Sequence, residues 1–134
     1  MRSGFFRALG LAAILALPAT ASAQFGHPLD GQWSGGYGKN QENRLLLNLD
    51  WDGKELTGVI NPGPNALTVK KADIDYSNPA SWKVKIQAEG KDASGKPVPV
   101  TIDGTLENIG AYYKHFHGTW TQGTQKSEFA VTRN

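Results

Sequence analysis

No cysteine occurs among the 134 residues of this chain. Its absence excludes a disulfide framework, a thiolate metal site and a lipid anchor on cysteine together. An Asn-x-Ser/Thr acceptor for N-glycosylation is missing as well. Charge of one sign is also lacking. Arg2 and Arg7 account for the whole formal +2, so the chain beyond residue 23 is neutral. Nucleic acid and anionic membrane surfaces select basic excess, so neither is expected as a partner. The longest apolar run, Ala8 to Leu17, is shorter than the roughly 20 residues that span a bilayer, so no membrane span is expected.

What stands at the start of the chain is a cationic stretch with Arg2 and Arg7, that apolar run, Pro18, and the small residues Ala19 to Ala23. These are the three regions of a secretory signal, and Ala21-Ser22-Ala23 places cleavage before Gln24. The expected organisation is a signal peptide over 1–23, a flexible N-terminal tail over 24–30 and a β-barrel domain over 31–134. A bacterial periplasmic or secreted location fits the leader and the missing cysteines.

Beyond the leader, helical periodicity gives way to two-residue alternation punctuated by Gly, Pro, Asn and Asp, which predicts an all-β chain. Trp82, Val84, Ile86 and Ala88 share one strand face, opposite Lys83, Lys85 and Gln87. Val98, Val100, Ile102, Gly104 and Leu106 repeat the pattern, as do Leu45, Leu47, Leu49 and Trp51. Each strand thus offers one face to a core and one to water. Eight strands are expected: 31–38, 44–51, 55–61, 66–74, 81–89, 97–106, 112–121 and 126–133. The fourth loses its phase at Lys70-Lys71, where a β-bulge would restore it. Asp52-Gly53 predicts a tight hairpin turn. Short strands in sequence joined by tight turns fit a single up-and-down antiparallel meander that closes into a barrel and hides its edges.

Leu29-Asp30-Gly31-Gln32-Trp33 opens the first strand, and Phe129-Ala130-Val131-Thr132-Arg133 closes the last. This pair resembles the signature of the calycins, the superfamily of lipocalin-type and avidin-type eight-stranded barrels. The resemblance implies that Trp33 plugs one end of the barrel and that Arg133 packs across it as a structural pair. Arg133 shares parity with Phe129 and Val131, so its guanidinium could lie on the Trp33 ring as a cation–π contact. Gly31 would let the backbone turn tightly beside the indole. Gly35 and Lys39 occupy spacings where biotin-binding residues follow the tryptophan in the avidin family, which argues against biotin. The opening strand is also faintly similar to that of the haem-binding nitrobindin barrels.

The aromatic residues Trp51, Trp82, Phe116 and Trp120 have inward parity, and Tyr37 shares parity with Trp33. They are the candidate ligand-binding residues, since an eight-stranded interior either fills with side chains or holds one small molecule. His115 and His117 project from one face at a spacing metal sites use. Phe116, Gly118 and Trp120 form the natural inward set of that strand, so the histidines are expected in solvent, with His27 a conceivable third ligand. The carboxylate pairs Asp50 with Asp52 and Asp73 with Asp75 read as solvated strand and turn residues. There is no Gly-x-Ser-x-Gly elbow and no phosphate loop. No cofactor is expected, and a catalytic role is the least favoured reading. The leading expectation is an exported, non-catalytic barrel holding a small apolar ligand in its mouth. A protein-interaction or inhibitor module acting through the tail at 24–29 is the alternative.

Overall fold

A computed structural model describes residues 26–134, and the leader expected at 1–23 lies outside them. Eight strands follow one another: β1 (Gly31–Tyr37), β2 (Asn43–Trp51), β3 (Leu56–Ile60), β4 (Leu67–Asp75), β5 (Ser81–Lys91), β6 (Pro97–Glu107), β7 (His115–Gln122) and β8 (Gln125–Arg133). Each pairs with the next, and β8 pairs with β1, which closes an antiparallel barrel. The all-β meander predicted from alternation is the fold.

Parity decides which side chains fill the interior. Val84, Ile86 and Ala88 of β5 are buried beneath exposed Lys83, Lys85 and Gln87, and Leu45, Leu47 and Leu49 of β2 are buried the same way. Between them, Trp33, Phe116 and Phe129 supply the bulk, with Phe116 edge-on to Phe129 at 4.9 Å and to Trp33 at 6.3 Å. Gly104 makes room for this cluster. A methyl group there would stand 2.7 Å from Phe129 Cζ and 2.8 Å from Phe116 Cε1.

The β4 ladder shifts register between Val69 and Lys71, so the bulge foreseen at Lys70-Lys71 is present. Two local expectations change. Trp51 pairs with Leu56, so the turn after β2 spans Asp52 to Glu55. Asp52 organises it, accepting the backbone N–H groups of Lys54 at 2.8 Å and Glu55 at 2.6 Å, while Gly53 takes φ 99°. β7 starts at His115 and not at Tyr112, because Asn108 enters the left-handed region at φ 57° and Ala111 turns back onto its carbonyl. Tyr112 and Tyr113 are therefore both loop residues, 74% and 60% exposed. A 3₁₀ turn (Lys39–Gln41) links β1 to β2.

The up-and-down order gives the barrel two distinct ends. Gly31, Trp51, Leu56, Trp82, His115 and Arg133 lie at one, called here the arm end because residues 26–30 approach it. Tyr37, Ile60, Leu67 and Gln122 lie at the far end.

Candidate functional site

Residues 27–30, expected to end a loose tail, are docked on the arm end. Leu29 is completely buried, and its carbonyl accepts the Trp33 indole N–H at 3.0 Å. Asp30 accepts the backbone N–H of Trp51 at 3.1 Å through its carboxylate, and its own carbonyl accepts Arg133 Nε at 2.8 Å. Trp33 and Arg133 are direct register partners across β1 and β8. The guanidinium Nε–H bonds the Asp30 carbonyl, and the group lies against Gly31, where a Cβ would come within 2.8 Å of it. Gly31, at φ 125°, thus gives space to the arginine.

The docked arm delivers His27 into an aromatic cluster. Its imidazole stacks on Trp51 with ring centres 4.1 Å apart and planes 20° from parallel. Trp82 lies 5.7 Å away, and Tyr76 stands edge-on at 6.4 Å. Tyr76 and Trp82 meet edge to face at 4.5 Å, which closes the group. His27 Nδ1 accepts the N–H of Leu29 at 3.2 Å, so the neutral ring carries its proton on Nε2 and donates to Tyr76 Oη at 3.2 Å. Burial of the imidazole pushes its pKa below the ordinary 6.5, against the opposing pull of Asp30. Burial likewise raises the Tyr76 phenol above its usual value.

Beside this cluster the barrel wall opens. β3 and β4 pair only where Val59 faces Thr68 and Ile60 faces Leu67, whereas β5 and β6 stay paired from Ser81 opposite Glu107 to Lys91 opposite Pro97. Below Val59 the two strands part around a cleft of about 430 Å³. Leu56, Val69 and Ile74 form its apolar wall, Trp51 and Tyr76 its junction with the cluster, and Lys54, Glu55, Lys70, Lys71 and Asp73 its rim. That volume lies within the range of small-molecule sites.

The five aromatic candidates do not converge. Trp51 and Trp82, half-buried, belong to the arm-end cluster. Phe116 is buried in the core against Trp33 and Phe129, and Trp120, also buried, lies toward the far end. Tyr37 stacks on Trp120 at 4.0 Å at the far end, beside a separate hollow of about 370 Å³ under the loop from Asn61 to Asn65. One lumen lined by all five is not what the chain builds.

His115 and His117 are exposed, and His117 Nε2 meets Glu107 Oε1 at 2.6 Å. Among the described residues no three His, Asp or Glu side chains gather as a metal ion would need, and His27 is engaged with aromatic rings. Asp73 lies 3.9 Å from Lys71 on the surface, and Asp52 is a turn former. Sequence reasoning read His27 only as a conceivable metal ligand and did not single out Tyr76. Tyr76 continues the parity of Ala72 and Ile74 one step past β4 and was legible in principle. His27 sits in a segment with no period at all.

No protein-family model matches this chain, and no curated protein or solved structure matches it. Function therefore rests on the site itself.

Proposed function

We propose that this chain is an exported, calycin-like binding barrel that takes a small apolar or aromatic molecule into the cleft between β3 and β4. The leader at 1–23 supports export to the periplasm or beyond. Eight closing strands, with Trp33 and Arg133 in register beneath a docked N-terminal arm, support the calycin reading. The observation that carries the binding proposal is the cleft of about 430 Å³ whose apolar wall ends on the rings of Trp51 and Tyr76. Apolar area removed from water there contributes roughly 25 cal/mol per Å², and aromatic faces add directional stacking. Since Trp33, Phe116 and Phe129 pack together inside the barrel, the lateral cleft is favoured over a deep lumen as the ligand site.

The alternative of a tail-inserting inhibitor draws less support, because His27, Leu29 and Asp30 are held against the barrel by their own hydrogen bonds. A fluorescent naphthalene probe titrated into the mature protein tests the cleft. Saturable binding that Ile74→Lys abolishes is expected, and a probe that neither saturates nor responds to that substitution would remove the proposal.

A further inference from the structure

We infer that Trp51, Tyr76 and Trp82 form a clamp for a planar nitrogen heteroaromatic ring of the imidazole type, and that His27 is the chain's own occupant of it. The inference deepens the cleft proposal by naming the ligand class, and rests on it only for the route of access, since clamp and cleft share Trp51 and Tyr76. Three features of the clamp fit such a ring. The first is flatness: the imidazole lies 4.1 Å from Trp51 at 20°, while Tyr76 and Trp82 present edges and oblique faces at 6.4 and 5.7 Å. A saturated ring of similar size would lose the stacking.

The second feature is a pair of hydrogen bonds aimed at opposite sides of the ring. Leu29 N–H points at one ring nitrogen, and Tyr76 Oη receives the N–H of the other, each at 3.2 Å. A 1,3-diazole satisfies both in one orientation, and benzimidazole and purine carry the same edge. The third is that the donor is anchored independently of His27, while Tyr76 keeps its edge-to-face contact with Trp82. Leu29 is buried and bonded to Trp33, and the neighbouring Asp30 is bonded to both Trp51 and Arg133. Swinging the imidazole out would leave the Leu29 donor and the Trp51 and Trp82 rings in place, with Tyr76 held against Trp82, and would open the vacated space beside the cleft that Trp51 and Tyr76 also line.

Restoring the missing ring to His27→Ala with free imidazole tests this. At about pH 8, where imidazole is neutral, imidazole should raise the variant's melting temperature and change its tryptophan fluorescence. It should bind about tenfold more tightly than to the wild-type protein, as expected for the loss of a competing stacked ring. Pyrrole, equally flat but without the acceptor nitrogen, should bind more weakly than imidazole. Equal imidazole binding by variant and wild type, or equal binding of imidazole and pyrrole, overturns the inference. Should His27→Ala not fold, ¹⁵N signals of the His27 ring in wild-type protein give the same answer: benzimidazole must displace the ring, and unmoved signals at saturating benzimidazole sink the idea. Naphthalene binding without imidazole binding overturns the clamp alone. Imidazole binding to His27→Ala without naphthalene binding overturns the cleft alone.

Discussion

Arg133 and Asp30, 103 positions apart, meet at one end of the barrel, where the arginine Nε donates to the aspartate carbonyl at 2.8 Å. Through this bond the last strand holds the segment that precedes the first. Removing it leaves a carbonyl without its charged donor and uncovers Gly31. Arg133→Ala should therefore cost about 1–3 kcal/mol, the range for a lost hydrogen bond to a charged group. Thermal unfolding followed by circular dichroism would register that as a melting temperature lower by several degrees. Trp33→Ala should cost more, about 3–5 kcal/mol, because it empties a fully buried site as well. Melting temperatures unchanged by both would remove the calycin reading.

Gly104 is a packing position in the middle of β6. A methyl group there would also come 2.5 Å from the His117 carbonyl oxygen, so backbone and aromatic rings would both have to move. Gly104→Ala should destabilise by about 1–3 kcal/mol, the usual cost of overpacking. A urea midpoint equal to that of the wild-type protein would show that Phe116 and Phe129 are more yielding than their distances imply.

The strand pattern was legible because alternation is a local property. Val84, Ile86 and Ala88 needed only their own neighbours to declare an inward face, and even the fault at Lys70-Lys71 showed as a broken phase. The candidate site was half legible. Trp51 and Trp82 carried inward parity, but parity says nothing of height along the barrel, and height is what separates them from Tyr37 and Trp120. The partner of Arg133 was hidden for another reason. The bond to the Asp30 carbonyl depends on how the arm docks, which no periodicity records.

His27 predicts a pH dependence. Its folded pKa lies below 6.5, so as pH falls from that value the unfolded chain takes up a proton before the folded one does. Stability is then fully present above about pH 6.5 and declines as pH drops toward the folded value. Protonation would also place a hydrogen on Nδ1, facing the Leu29 N–H it now accepts. Melting temperatures measured between about pH 7.5 and pH 5 should fall in wild type, and His27→Gln should flatten the profile. A slope identical in both proteins would assign the effect elsewhere.

The seam between β3 and β4 should be where the barrel opens first. Backbone pairing there ends at Val59 and Thr68, so the facing edges of Leu56 to Gly58 and of Val69 to Asp75 lack the ladder that locks β5 to β6. Local opening follows the least paired segments, and a ligand cleft needs such a segment to admit its guest. Amide hydrogen exchange should therefore be fastest along β3 and β4 among the strands, and slowest in β5 and β6. Saturating the cleft with the naphthalene probe should slow exchange at the seam while leaving the β5 and β6 rates unchanged. Uniform protection around the barrel would mean that the seam is as tight as the other strand pairs, and that the break in β3–β4 pairing does not weaken it.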